Sequence, residues 1–462
     1  MCSAGSGKES LLTGKYAFLL QAFGIWGGTI TAGRITANGN GEITGGEEDI
    51  IYASGAGHVP PTISTKASLY SVGPDHRGCL LLTGTDGETK FLRFGLGSVN
   101  VSGTATAGRL IEFDDTTGTG TRGACSLRLQ DPTSFGPSHF MGNYAFGTVG
   151  RTPKIPGTAV IGSLAIVGTF AADGVSAISG GDIDLNLGGS VTTNAQSAGT
   201  FQCCDANGRG TGAFTDLVPQ ANFVLYQING TDAFFLTTND QWGSSGEAIA
   251  VSPGTNFSES SLSGAAVLRE TAQSAAGPVV DLAIVSADGQ GNLTTNDNVN
   301  SAGVFATSST SLTYQVASNG RVMLAGTRAS PVLHLYGPNQ GFLLGTDANV
   351  SFGILEPQRN SPFGDSSFSG AYTLAVENPS SATVTMESGA LTANGSGNAA
   401  GPLDQSNSTG LVPNQSLNAG YSISANGTAS VGSGTTAVVI SGIKLAFIRD
   451  TDPNPTISVV EK

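Results

Sequence analysis

The stretch Leu-Thr-Gly-Lys-Tyr-Ala-Phe at positions 12–18 decides the fold, because related stretches recur along the whole chain. They read Phe-Met-Gly-Asn-Tyr-Ala-Phe at 140–146, Leu-Ser-Gly-Ala-Ala-Val-Leu at 262–268 and Phe-Ser-Gly-Ala-Tyr-Thr-Leu at 368–374. Recurrence of one motif at long intervals is typical of repeat architectures. The sequence therefore predicts four copies of one structural unit.

A turn motif follows each opening stretch. Ala-Asn-Gly-Asn-Gly at 37–41 returns as Ala-Asp-Gly-Gln-Gly at 287–291 and as Ala-Asn-Gly-Ser-Gly at 393–397, while the second copy keeps Ala-Asp-Gly at 172–174. Asn-Gly and Asp-Gly accept the positive φ angles of a tight hairpin turn. Each opening stretch is therefore predicted to be the first strand of a hairpin.

A third landmark is an aromatic strand that ends in a second turn. The aromatic residues are Tyr70, Phe201, Tyr314 and Tyr421. Arg77, Arg209 and Arg321 stand at the equivalent turns of the first three copies, and Thr428 replaces the arginine in the fourth. We interpret these arginines as bonded to turn carbonyls or a nearby carboxylate, with ligand binding as the alternative.

The fold class predicted from these landmarks is all-β. Each copy holds about eight short strands with mostly hairpin-sized connections, and no long stretch shows the apolar periodicity of a helix. An antiparallel meander removes its exposed edges by closing into a small up-and-down barrel. A two-sheet β-sandwich is the alternative, because strand order alone does not exclude it.

Linkers rich in Pro, Gly and Ser set the predicted domain boundaries. A flexible tether covers 1–11, and four β repeats cover 12–131, 132–252, 253–357 and 358–462. Each linker carries one phenylalanine (Phe135, Phe257 or Phe363) shortly before the next opening stretch. An aromatic residue in a linker fills a domain end or an interface, so we expect the repeats to pack against one another.

Composition and charge exclude several classes of partner. The net charge is -14 and only 12% of the residues are charged. Nucleic acids and anionic lipid surfaces attract basic proteins, so neither is an expected partner. No apolar run is long enough to span a bilayer as a helix.

The cysteines bear on cellular location. Cys2, followed by small flexible residues, resembles the mature start of a bacterial lipoprotein, which makes Cys2 the predicted lipidation site and the only expected link to a membrane. The alternative is an ordinary cytosolic start with an exposed cysteine. Cys203 and Cys204 would alternate across a strand and are not expected to bridge each other. Cys79 and Cys125 could form a disulfide, and buried free thiols are the alternative.

No motif indicates catalysis, a cofactor or a metal site. Gly-Thr-Gly-Thr-Arg-Gly at 118–123 has the letters of a dinucleotide fingerprint, but a strand rather than a helix is predicted after it. Carboxylates cluster at 47–49, 114–115, 182–184 and 450–452 without a sign that they converge. His334 lies between apolar neighbours and is interpreted as a packed histidine.

Taken together, the repeated motifs resemble those of a largely uncharacterised family of repeat-containing predicted surface lipoproteins from soil bacteria, over nearly the whole chain from Leu12. The opening hairpin is also similar to that of avidin-like and lipocalin-like barrels. The family lends no activity to this chain. We expect a noncatalytic, extracytoplasmic cell-envelope protein that binds an unknown protein, glycan or small ligand, or has a structural role. The alternative is an extracytoplasmic, glycan-directed hydrolase that uses the carboxylates of one repeat.

Overall fold

A computed structural model shows four antiparallel β-barrels, one for each copy of the repeated motif. It describes residues 7–24, 27–52, 58–60, 62–152, 162–217, 220–239, 242–274, 277–326, 330–377 and 383–462. The predicted all-β fold class is confirmed, and the repeats form barrels rather than sandwiches. Cys2, the predicted lipidation site, lies outside the described residues.

Barrels 1 and 2 are the more irregular pair. Barrel 1 is a curled nine-stranded sheet whose terminal strands are β4 and β5, and barrel 2 closes through pairing of its first two strands. The strands of barrel 1 are β1 Thr13–Gly24, β2 Gly27–Asn38, β3 Ile43–Tyr52, β4 His58–Val59, β5 Leu69–Val72, β6 Arg77–Thr83, β7 Thr89–Val99, β8 Ala105–Glu112 and β9 Arg122–Leu129. The strands of barrel 2 are β10 Met141–Thr152, β11 Gly162–Asp173, β12 Ala177–Ser179, β13 Asp182–Leu187, β14 Ser190–Gln196, β15 Gly199–Gln202, β16 Arg209–Phe214, β17 Ala221–Gln227, β18 Asp232–Thr238 and β19 Gly243–Ala250.

Barrels 3 and 4 are closed eight-stranded meanders in which each strand pairs with its neighbours in sequence. The strands of barrel 3 are β20 Ser263–Ser274, β21 Gly277–Asp288, β22 Asn292–Ser301, β23 Val304–Val316, β24 Arg321–Ala325, β25 Val332–Gly337, β26 Gln340–Leu344 and β27 Ser351–Pro357. The strands of barrel 4 are β28 Ser369–Glu377, β29 Met386–Asn394, β30 Asn398–Asn407, β31 Gly410–Ile423, β32 Thr428–Val431, β33 Thr435–Ser441, β34 Lys444–Arg449 and β35 Ile457–Glu461.

The predicted hairpin turns are confirmed in atomic detail. In barrels 1, 3 and 4 the side-chain oxygen of Asn38, Asp288 or Asn394 accepts the backbone N–H groups two and four residues later, at 2.7–3.1 Å. Both glycines of the turn have positive φ, for example 73° at Gly289 and 102° at Gly291. Only glycine adopts these angles without steric cost, which explains the Gly-x-Gly spacing.

The repeated tyrosine closes one end of its barrel. The Tyr314 hydroxyl donates to the carbonyl oxygens of Glu259 and Leu262, both at 2.9 Å, and so fixes the 3-10 turn Glu259–Ser261 that precedes β20. Equivalent bonds run from Tyr70 and Tyr421 to the turns before β1 and β28. The linker residues Phe257 and Phe363 join the cores of barrels 3 and 4, which confirms for these two that linker aromatics fill a domain end.

The barrels form two compact units: barrels 1 and 4 make one, except for Ile51 and Tyr52 of β3, and barrels 2 and 3 make the other. Within each unit an apolar cluster joins the two barrels, separate from the cluster inside each barrel. Ile111 and Phe113 of barrel 1 pack with Val384 and Met386 of barrel 4. In the second unit the packed residues are Ala165 and Val167 of barrel 2 and Phe342, Leu344, Val350 and Phe352 of barrel 3. Strands with apolar residues on both faces, such as β26, therefore direct one face into the core of their own barrel and pack the other face against the neighbouring barrel.

The bonding of the cysteines differs in part from what the sequence predicts. Cys203 and Cys204 form a disulfide. The prediction against it assumed that both residues lie on a strand, but β15 ends at Gln202, so the alternation of strand side chains does not apply. Of the alternatives left open for Cys79 and Cys125, the structure excludes the disulfide between them, because Cys125 is a buried free thiol.

Candidate functional site

The three turn arginines each begin the strand that follows the second turn, namely β6, β16 and β24. Their backbone N–H groups donate to Asp75, Asp205 and Asn319, at 3.2, 3.0 and 3.2 Å, which fixes the turn before each strand. The arginine side chains of barrels 1 and 3 reach the neighbouring barrel of the same unit. The side chains of Arg77 and Arg321 therefore connect their own turns to the neighbouring barrel.

Arg77 links barrel 1 to barrel 4. Its Nη1 lies 3.2 Å from Oδ2 of Asp404, and its Nη2 donates to Oδ1 of Asn414 at 2.8 Å. Its Nε also donates to Asp75 of its own turn at 2.9 Å. The Asp404 side chain is only 2% exposed. We call Arg77 with Asp404 the 1–4 clamp.

Arg321 links barrel 3 to barrel 2 through a more complete set of bonds. Its Nε and Nη2 donate to Oδ2 and Oδ1 of Asp184, both at 2.8 Å, and Nε2 of His334 lies 2.7 Å from Oδ2. The side chains of Asp184 and His334 are fully buried. We call Arg321, Asp184 and His334 the 2–3 clamp; Arg209 belongs to neither clamp.

The electrostatics of the 2–3 clamp favour an ionised Asp184. Burial raises the pKa of a carboxyl, but the hydrogen bonds and charges of Arg321 and His334 outweigh burial and lower the pKa of Asp184 to about 2. A two-point bond between guanidinium and carboxylate is among the strongest polar contacts in proteins. The clamp is therefore an anion enclosed by its partners, with no carboxylate oxygen left to act on a ligand.

The two clamps share one local geometry. Asp184 and Asp404 each lie at a register shift of their strand, and each accepts the backbone N–H of an asparagine ten residues later, Asn194 or Asn414. Both asparagines have left-handed φ, 57° and 56°. The clamps differ at one place: His334 pairs in register with Arg321, whereas Gly95 stands opposite Arg77.

Other predicted carboxylates also form ion pairs instead of converging on a cleft. Glu47 bonds Arg34 at 3.0 Å, Glu48 bonds Lys90 at 2.8 Å, and Asp115 bonds Arg122 at 3.2 Å. The glycine-rich motif at 118–123 leads into strand β9, as predicted, and not into a helix. These groups stabilise the barrels, and their arrangement does not favour the hydrolase hypothesis.

A groove on the outer wall of barrel 3 is a site that the sequence did not indicate. Two adjoining cavities of about 590 and 510 Å³ share Thr313 and Ala325 in their linings. We call them together the barrel 3 groove. Residues with polar side chains outnumber apolar ones in its lining, but carbon atoms make up most of its exposed wall. Met323 and Arg321 lie at one end; the other polar lining residues are Thr193, Ser286, Asp288, Asn292, Thr294, Ser311, Gln315, Ser330 and Thr346.

Sequence reasoning missed this groove because most of its residues lie on four adjacent strands, β21 to β24, and form no motif. They meet through strand register: Ser286 pairs with Thr294, Thr294 with Ser311, and Thr313 with Ala325. Alternate residues of a strand share a face, so the polar positions of these strands form one continuous surface. The usable signal was the run of Ser and Thr residues at 307–311, followed by Thr313.

Comparison with known proteins gives little further information. No protein-family model matches the chain, and no curated protein matches it. Among solved structures, the chain is similar to a tryptophan-to-alanine mutant of the vaccine antigen Transferrin Binding Protein B from Haemophilus parasuis Hp5. The two are 9% identical over 83% of this chain and 82% of that chain, with a TM-score of 0.20. Likeness at this level does not establish a family.

No helix among the described residues is both long and apolar enough to cross a membrane.

Proposed function

We propose that this protein is a noncatalytic binding protein of the cell envelope, and that the barrel 3 groove is its ligand-binding surface. The groove itself carries the proposal, because it offers many hydrogen-bonding groups on an outer wall. The barrel interiors, by contrast, hold packed apolar cores with large side chains such as Tyr16, Phe146, Tyr314 and Tyr372. A ligand therefore meets this protein on its outside, and a polar ligand such as a glycan suits the lining.

The binding test uses the whole chain on arrays of glycans and small polar ligands. The double substitution Gln315→Ala and Met323→Ala removes two exposed groove side chains that pair across β23 and β24. We expect it to weaken binding by about tenfold or more, since a few central residues carry most binding energy.

The chain provides a matched control for this test. Ser422 and Ser430 hold the equivalent pair of positions in barrel 4, where β31 pairs with β32. Replacing both by alanine should leave binding unchanged. Equal effects of the two double substitutions, or no ligand on the arrays, would contradict the proposal.

We further propose an extracytoplasmic location with a lipid anchor at Cys2, in line with the resemblance to surface lipoproteins. The acidic, Gly- and Thr-rich composition and the Cys203–Cys204 disulfide support an oxidising compartment. Mass spectrometry of the native protein tests the anchor, because a thioether-linked lipid adds a large apolar mass to the N-terminal peptide. An unmodified or disulfide-bonded Cys2 would remove it.

A further inference from the structure

The outer strand of the β22–β23 hairpin is an open sheet edge. In the described chain, residues 304–312 pair with β22 alone, because β24 pairs only with 313–316. Six of these nine residues are exposed, and Val304 is 70% exposed. Such an edge presents a row of backbone N–H and C=O groups that a further strand can pair with.

Barrels 2 and 4 protect the equivalent edge, and barrel 3 does not. Left-handed Asn194 interrupts β14, and Pro413 with left-handed Asn414 interrupts β31. Bulges and prolines of this kind are common means of blocking edge-to-edge association. The β22–β23 ladder runs without a register shift over ten residue pairs, from Asn292 opposite Thr313 to Ser301 opposite Val304.

The composition of this edge suits a second copy of the same chain. Residues 304–316 contain no charged residue, no proline and no glycine. Two copies of a protein with a net charge of -14 repel each other, so they approach most easily through strands that carry no charge of their own. The nearest charge is Asp297 on β22, whose carboxylate accepts a hydrogen bond from the Ser308 hydroxyl at 3.0 Å.

The sequence of the edge is also self-complementary. In an antiparallel pair, side chains that stand opposite each other lie on the same face of the sheet. When the two strands are related by a two-fold axis, one residue therefore stands opposite its own copy, and the axis lies midway between the two. With Ser309 on the axis, Ser308 faces Thr310, Thr307 faces Ser311, and Ala306 faces Leu312. Hydroxyl residues thus meet hydroxyl residues, which is a favourable pattern for cross-strand pairs, while Leu312 packs in the core of its own barrel.

We infer that the protein forms a two-fold symmetric dimer through residues 306–312 of β23, with Ser309 of each copy opposite Ser309 of the other. The β22–β23 hairpins of the two copies then form one continuous sheet. This inference does not rest on ligand binding by the groove, but the paired edge includes Ser311 and Leu312 of the groove lining.

Sedimentation velocity of the whole chain over a series of concentrations tests the inference. The wild type should show a reversible monomer–dimer equilibrium. Ser309→Lys and Ser309→Asp should each weaken the dimer by about fivefold or more, because like charges then face each other across the axis. An equimolar mixture of the two variants should regain the wild-type dimer, since lysine then faces aspartate.

Ser416→Lys is the matched control, because Ser416 is the exposed counterpart of Ser309 on the interrupted strand β31. It should leave the equilibrium unchanged, and unaltered circular dichroism should show that all variants are folded. A wild type that stays monomeric, a dimer insensitive to Ser309→Lys, or a mixture that does not recover would each overturn the inference.

Discussion

Asp184 and Asp404 occupy the same position in barrels 2 and 4, and each binds the turn arginine of the other barrel in its unit. Asp184 receives Arg321 and Asp404 receives Arg77. The repeat therefore encodes a barrel and also a way of joining two barrels. Barrels 1 and 3 supply the arginine, and barrels 2 and 4 supply the aspartate.

Removing the Asp184 carboxylate should destabilise the second unit. In Asp184→Asn, buried Arg321 and His334 lose their anion, and we expect a loss of about 3 kcal/mol in unfolding free energy. Denaturant-dependent hydrogen exchange of β13 and β24 measures this locally. Asp216→Asn in the same barrel is the control, because Asp216 is exposed and, among the described residues, accepts only a 3.4 Å bond from its neighbour Thr215. It should change stability by less than about 0.5 kcal/mol. An equal loss of unfolding free energy in both variants would show that the 2–3 clamp does not stabilise the unit.

The same carboxylate predicts a pH dependence. Because the pKa of Asp184 is about 2 in the folded protein against 3.8 normally, its stabilisation is present above about pH 4. It is lost as pH falls from there through about pH 2. Acid titration of hydrogen exchange in β13 should show this loss in the wild type. Asp184→Asn has no carboxylate at this position and should not show this loss. Identical acid profiles for the two proteins would contradict the attribution of the loss to Asp184.

Glu112 should have the opposite effect at higher pH. Burial in barrel 1 raises the pKa of Glu112 to about 8, against 4.5 normally. The folded state keeps the proton between these values, so stability falls as pH rises through that window. Glu112→Gln should remove this slope and raise the unfolding free energy at pH 8 by on the order of 2 kcal/mol. Urea unfolding at a series of pH values measures it, and an unchanged slope would contradict it.

The tyrosine bonds at the barrel ends predict a local effect. Tyr314→Phe leaves the carbonyl oxygens of Glu259 and Leu262 without this donor and should cost about 1–2 kcal/mol. Hydrogen exchange should speed up in the turn Glu259–Ser261. Barrel 2 serves as an internal reference, because Phe201, which has no hydroxyl, holds this position. Its ring centroid lies 5.2 Å from that of Phe140. Unaltered exchange in the barrel 3 turn would contradict the prediction.

The barrels and hairpins could be predicted because they depend on local residue patterns. Asn38, Asp288 and Asn394 with their glycines determine turns within five residues, and the strands between turns follow from alternation. Arg77, Arg209 and Arg321 were identified as equivalent in the same way, since each follows a turn.

The partners of those arginines could not be predicted, because they are distant in sequence. Arg321 and Asp184 are separated by 137 residues, and Arg77 and Asp404 by 327. In the sequence, Asp184 was noted only as one of two neighbouring acidic residues, and Asp404 was not noted. The barrel 3 groove likewise depends on strand register across four strands, which no single stretch of sequence reveals.

The pairing of the first barrel with the last affects how the chain matures. Arg109 of barrel 1 bonds Glu461, 352 residues later and one residue before the end of this sequence. During synthesis, Ile111 and Phe113 emerge long before Val384 and Met386, which cover them in the finished protein. Barrels 2 and 3 have both partners available earlier and can complete their unit first. Barrel 1 therefore presents an uncovered apolar face to chaperones and to other nascent chains until barrel 4 has been synthesised.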